Sequence, residues 1–148
     1  MRYLMVDRIL EVEPGKRAVG IKNIAMSEDF LTHHFPQYPV MPGVLIVEAM
    51  VQLGSWLIAV TTDFKFKCLL HTINLAKFKQ LVRPGDSLTI EIVLDSLEED
   101  VAAFRGKGKL QSSDKVATMV NFQAKLIELE KLESPAAARE TFDILRRS

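Results

Sequence analysis

The run from Val44 to Val60, Val-Leu-Ile-Val-Glu-Ala-Met-Val-Gln-Leu-Gly-Ser-Trp-Leu-Ile-Ala-Val, constrains this chain more than any other stretch. It is too long for a buried strand and suits a helix. Pro42 fits the first turn of that helix, where the N–H that proline lacks would have had no partner. A helix apolar nearly all round is buried on every side, so the rest of the chain has to sheathe it. Only Glu48, Gln52 and Ser55 interrupt the apolar run, and their i, i+4, i+7 spacing puts them on one face. A carboxylate on a core helix calls for a reason.

Two readings of Glu48 stand side by side. In the first, it reaches solvent or a buried Lys or Arg. In the second, it is a general acid: burial among apolar groups disfavours the charged form and keeps a proton available near neutral pH. The neighbours of Glu48 favour the second. His33 and His34 lie just upstream, and Gly43 opens the helix, where free N–H groups and the positive dipole end suit a developing oxyanion. His71 sits on an expected strand and reads as packed or exposed.

The flanking sequence reads as a sheet. Leu4 to Val12 and Ala18 to Ile24 form an expected hairpin about Glu13-Pro14-Gly15-Lys16. Ser27 is the candidate cap of a short helical turn. After the long helix come a β-rich run from Cys68 to Leu81, a turn at Pro84-Gly85-Asp86, an alternating strand from Ser87 to Leu94, and strands over 101–110 and 115–128. Two strands, a buried helix and four strands make an α+β pattern, an antiparallel sheet wrapped around one helix. Residues 1–130 are expected to form this domain. Residues 131–148 form a C-terminal extension in which Ser134-Pro135 start a short amphipathic helix.

Composition narrows the function classes. Lys plus Arg and Asp plus Glu balance at 19 each, and no basic run alternates with aromatics, so no nucleic-acid partner is expected. Cys68 is the only cysteine, which rules out an internal disulfide and a cysteine-based metal site and fits a reducing cytoplasm. No His, Cys, Asp or Glu spacing matches a metal site. The N-terminus lacks the apolar core of a signal peptide. Glu48 and Gln52 inside the long apolar run argue against membrane insertion.

His34-Phe35-Pro36, then Pro39-Val40-Met41-Pro42-Gly43-Val44, then Glu48-Ala49-Met50 and Gln52 resemble the signature of the 3-hydroxyacyl-[acyl-carrier-protein] dehydratases, the FabZ-like and FabA-like hot-dog proteins. Val6-Asp7-Arg8 with Glu13 to Lys16 resembles that family's opening hairpin. Lys77-Phe78-Lys79 with Pro84-Gly85-Asp86 resembles its strand and turn after the helix, and Gly106 to Ala117 its last hairpin. The resemblance runs from Tyr3 to Phe122. It departs at His33 and Gln37, where the family usually has glycine, and glycine there permits positive φ. The two replacements are therefore expected to bear on the loop or the substrate mouth.

The resemblance implies a hot-dog fold and dehydration of a (3R)-hydroxyacyl-[acyl-carrier-protein] to the trans-2-enoyl form, in fatty-acid or related lipid synthesis. It implies His34 as general base and Glu48 as general acid, with the Gly43 N–H as oxyanion donor. Gln52 would orient Glu48 or the leaving water, Phe35 would fix the backbone of His34, and His33 would tune or shield the site. No cofactor is implied, the substrate being carried on the phosphopantetheine of acyl carrier protein. The family's site is composite, which implies an obligate homodimer whose sheets join edge to edge, open to further assembly as a trimer of dimers. Lys65, Lys67, Lys77, Lys79 and Arg83 read either as a solvated face or as a docking patch for the acidic carrier. Two other functions stay open. One is a hot-dog thioesterase, whose carboxylate would activate water or attack the carbonyl. The other is a non-catalytic acyl-carrier or acyl-chain binding homologue.

Overall fold

The computed structural model describes residues 4–147. Residues 1–3, where the expected domain and the resemblance begin, and Ser148, the end of the extension, lie outside the described residues. The elements follow the chain as β1 (Arg8–Glu13), β2 (Arg17–Asn23), a 3₁₀ turn (Asp29–Thr32), α1 (Gly43–Thr61), β3 (Phe66–Phe78), β4 (Ser87–Glu98), β5 (Val101–Leu110), β6 (Val116–Glu128) and α2 (Pro135–Arg146). All six strands form one antiparallel sheet in the order β1-β2-β4-β5-β6-β3, and it curves around α1. This is the hot-dog arrangement.

The apolar periodicity of α1 explains how the sheet holds it. Met50, Leu53, Leu57 and Ile58 are fully buried, at spacings that share the sheet-facing side. Phe104 and Phe122, cross-strand partners on β5 and β6, stack with ring centroids 5.0 Å apart beneath the helix. The sheet comes so close at Gly106 that a Cβ there would lie 2.8 Å from Met50 Sδ. Although α1 is long and apolar enough to cross a bilayer by length and composition, twelve of its residues are buried within the protein.

Two local expectations need correction. Pro42 is the N-cap of α1 rather than its first helical residue. Its ψ of 132° is non-helical, yet its carbonyl already accepts from Leu45 N–H. The 3₁₀ turn is entered through Glu28, not Ser27, and no side chain caps it. The C-terminal helix starts at Pro135, with Ser134 Oγ accepting from Ala137 N–H at 3.0 Å.

The two edges of the sheet differ. β1 has six residues and lies against α2, whose Arg146 donates to the Leu10 carbonyl. β3 has thirteen residues, and two bulges bend it, between Leu70 and Thr72 and between Ile73 and Leu75. Leu69, Leu70, Ile73, Leu75 and Phe78 along it are each between 37% and 51% exposed. A long apolar edge is a template for pairing with another chain.

Candidate active site

The loop between the 3₁₀ turn and α1 is cross-tied by its own backbone. Val40 N–H donates to the His34 carbonyl at 2.9 Å, while Phe35 and Tyr38 exchange N–H···O bonds at 3.1 and 3.0 Å. The His34–Phe35 peptide bond is cis. His34 Nδ1 lies 3.0 Å from the Val40 carbonyl. A carbonyl oxygen only accepts, so Nδ1 is the donor, and in the neutral ring the free lone pair is on Nε2. The ring is half-buried, and Phe35 stacks on it with centroids 4.3 Å apart.

Gly43 is the first residue of α1, and its N–H is among the four at a helix start that have no intrahelical acceptor. His34 and Gly43 line the same cavity of about 410 Å³, together with Val40, Met41, Phe78 and Leu81. A Cβ on Gly43 would stand 2.8 Å from Phe78 Cε1. Close approach of the last β3 residue therefore requires glycine there. The sequence alone gave no sign of this contact.

Glu48 opens into a different cavity, of about 330 Å³, whose walls include Val51, Gln52, Trp56, Cys68 and Leu70. Its Oε1 accepts from Gln52 Nε2 at 2.9 Å, and Gln52 Oε1 accepts in turn from Met5 N–H at 2.9 Å. Backbone N–H only donates, which fixes the orientation of the amide. Glu48 has no salt bridge among the described residues, so the ion-pair reading of this residue is set aside. In the single chain it is half-buried rather than enclosed. Ser55, the third polar residue of the stripe, clamps the start of β3, accepting from Cys68 N–H at 3.2 Å. Burial pushes the Cys68 thiol up to about 12.

Other expected site residues lie apart from this geometry. His33 is exposed with φ of −117°. Gln37 is exposed too, and neither is among the described residues with positive φ. The loop thus accepts both side chains at the usual glycine places without a left-handed backbone. His71 is exposed on β3. The five basic residues do not form one patch in a single chain. Lys77, Lys79 and Arg83 are exposed near the His34 cavity, Arg83 lying 5.1 Å from the Tyr38 ring. Lys65 and Lys67 stand at the other end of β3, about 30 Å away at 3.3 Å per residue. Lys67 is engaged, its Nζ 3.8 Å from the Trp56 ring centroid and 3.3 Å from Glu133. Lys22, which drew no attention in the sequence, is 2% exposed and paired with Glu28 at 2.9 Å. That pair ties β2 to the turn that leads into the histidine loop. Among the described residues, no group of three His, Cys, Asp or Glu side chains could hold a metal ion.

The sequence model of the FabA-like domain matches residues 1–121. The chain belongs to the FabA-like family. It is 46% identical over 116 residues to the 3-hydroxyacyl-[acyl-carrier-protein] dehydratase FabZ of Thermoanaerobacter sp. (strain X514), spanning 78% of this chain and 80% of that one. To the same-named protein of Caldicellulosiruptor bescii it is 50% identical over 108 residues, 72% and 74% of the two chains. Among solved structures, the dehydratase heterocomplex ApeI:P from Xenorhabdus doucetiae superposes with a TM-score of 0.61 at 21% identity, covering 82% of this chain and 99% of that one. The smu.793 protein of Streptococcus mutans, bound to acetyl CoA, gives 0.66 at 12% identity over 86% and 94%. At these identities the superpositions speak to the fold alone.

Proposed function

We propose that this chain dehydrates 3-hydroxyacyl thioesters carried on acyl carrier protein, in fatty-acid synthesis, in the cytoplasm. The observation that carries the reading is the orientation of His34. With Nδ1–H committed to the Val40 carbonyl, Nε2 is available as a base in the cavity that Gly43 also lines. The identity to FabZ proteins supports the substrate class.

His34 Nε2 removes the α-proton, and the electrons of that C–H bond move toward the thioester carbonyl. The Gly43 N–H stabilises the oxygen as it gains charge, a contribution of about 3 kcal/mol for an oxyanion donor of this kind. As the α,β double bond forms, the C3–O bond breaks and protonated Glu48 supplies the proton that turns hydroxide into water. The His34 proton then passes on to restore the acid. These steps use only the side chains and backbone of the protein. With Gln52 donating to Oε1, the transferable proton sits on Oε2, so Gln52 is a positioning residue.

His34 and Glu48 line separate cavities of one chain, and this supports a composite site. The Glu48 cavity touches the start of β3, and the His34 cavity touches its end. Antiparallel pairing of two β3 edges about a two-fold axis brings those ends together. Glu48 of the partner subunit would then face His34, and the exposed apolar edge would be covered. The same pairing gathers Lys77, Lys79 and Arg83 beside the partner's Lys65, a basic rim suited to an acidic carrier and its phosphate, while Lys67 stays engaged by Trp56 and Glu133. Such dimers can associate further into a trimer of dimers.

The test is hydration of a crotonyl thioester on carrier protein, the reverse reaction, followed by loss of enoyl absorbance. Wild type should turn over, and His34→Ala and Glu48→Gln should each lose about 10²–10⁴-fold in rate. Hydrolysis of the thioester instead of hydration would favour the thioesterase. Tight carrier binding with no change to the acyl group would favour the non-catalytic homologue.

A further inference from the structure

The segment after β6 bears on the Glu48 cavity. Leu129 is fully buried and its N–H donates to the Lys65 carbonyl at 2.9 Å, which docks the chain beside the start of β3. Leu132 follows and forms part of the cavity wall with Val51, Leu69 and Leu70. Trp56 closes the end of the cavity away from Glu48. Its indole is only 7% exposed, and two side chains pack on it. Phe142 of α2 packs on it with centroids 5.8 Å apart, Lys67 Nζ sits over its face, and Glu133 holds that ammonium. Three of the groups at this end, Leu132, Glu133 and Phe142, lie beyond residue 121, where the family match stops.

We propose that the C-terminal segment forms the floor of the acyl-chain cavity and limits the length of substrate the enzyme accepts. The proposal rests on the dehydratase reading, in which Glu48 meets C3 of the acyl group and the remaining carbons must continue past it. Along that path Gln52 and Ser55 alternate with the apolar walls of Val51, Leu69, Leu70 and Leu132, and the path ends at the Trp56 ring with the Lys67 ammonium over its face. A longer chain would have to displace the indole from its packing against Phe142 and from its contact with the Lys67 ammonium. Glu48 and Trp56 are eight residues apart on α1, about 12 Å of helical rise, of which about 4 Å is contact distance to the ring. The remaining length, about 8 Å, holds roughly six carbons at about 1.25 Å each. With the three carbons up to C3, the cavity therefore suits acyl groups of up to about nine carbons, so that a ten-carbon chain stands at its limit.

The experiment measures kcat/KM for carrier-bound 3-hydroxyacyl chains from four to fourteen carbons in wild type, Leu132→Ala, Leu132→Trp and Phe142→Ala. Dissociation constants for saturated acyl carriers of the same lengths are measured beside it. Wild type should lose about tenfold or more in kcat/KM beyond ten carbons, by the usual worth of a methylene or two that does not fit. Leu132→Ala and Phe142→Ala should raise the ratio of twelve-carbon to four-carbon efficiency, and Leu132→Trp should lower it. Opposite shifts at one half-exposed position are not what loss of folding produces. An unchanged ratio in all three variants, or a wild type equally efficient at four and fourteen carbons, would overturn the proposal. If no chain length is turned over, the dehydratase reading fails, and the affinity series alone decides whether length is sensed at this floor.

Discussion

Gln52 offers a substitution that separates anchoring from chemistry. Its side-chain oxygen accepts from the N–H of Met5, a residue 2% exposed, and its nitrogen donates to Glu48 Oε1, each at 2.9 Å. Gln52→Leu keeps the volume and deletes both bonds. Taking this acceptor from a buried N–H costs about 1–3 kcal/mol. With an unfolding entropy of about 0.3 kcal/mol per kelvin for a chain of this size, that lowers Tm by about 3–10 °C. Glu48 also loses the bond that holds its Oε1, and if it acts as proposed kcat should fall about 10–100-fold, the equivalent of 1.4–2.8 kcal/mol of transition-state stabilisation. Gln52→Glu keeps an acceptor for Met5 but replaces the donor to Glu48 with a second carboxyl. Its Tm should stay closer to wild type while its kcat falls at least as far. The assay pairs thermal unfolding with steady-state hydration of a crotonyl carrier, reading kcat apart from KM. A Gln52→Leu enzyme with wild-type kcat would refute the positioning role. Equal Tm losses in both variants would refute the Met5 anchor.

Gly106→Ala should destabilise by about 1–3 kcal/mol through overpacking, because its Cβ would sit 2.8 Å from Met50 Sδ and 3.0 Å from Ile92 Cδ1. Urea unfolding should show a lower midpoint with unchanged m, and an unchanged midpoint would mean that Met50 yields freely. Cys68 ties stability to alkaline pH. Below pH of about 8.5 the thiol is protonated both folded and unfolded, but above it the unfolded chain ionises first, while burial holds the folded thiol protonated up to about 12. The unfolded state then binds fewer protons, so stability falls as pH rises through that window, by at most about 1.4 kcal/mol per unit. Cys68→Ala should flatten this part of the stability curve relative to wild type. The native thiol should also resist alkylation at pH 8, and rapid labelling of folded protein would contradict the burial argument.

How much of this was legible in the sequence divides by the range of the interactions. Periodicity over Val44–Val60 predicts a core helix because which face is buried is a local property of spacing, and α1 runs Gly43–Thr61. The alternation from Ser87 onward predicts a strand for the same reason, although β4 continues to Glu98. Long-range contacts carry no such period. Phe78 reads as one aromatic among several until the sheet closes and sets its ring where a Gly43 side chain would be. Lys67 reads as one of five loose cations, yet about 30 Å of strand separates it from Lys77, and the fold gives it Trp56 and Glu133 as neighbours. Glu48 and His34, the proposed acid and base, show the same limit most clearly. Their fourteen-residue separation in sequence, 48 minus 34, suggests one site. In the fold, His34 lies on the loop before α1 and Glu48 on the helix face turned toward the start of β3, so each opens into its own cavity. In the proposed dimer they are joined through the β3 edge, whose apolar side chains are half exposed along its length. A mutation that blocks that edge without touching either cavity, such as Ile73→Lys, should abolish hydration and leave a folded monomer in sedimentation. A fully active monomer would place the whole reaction within one chain, and the composite site would have to be given up.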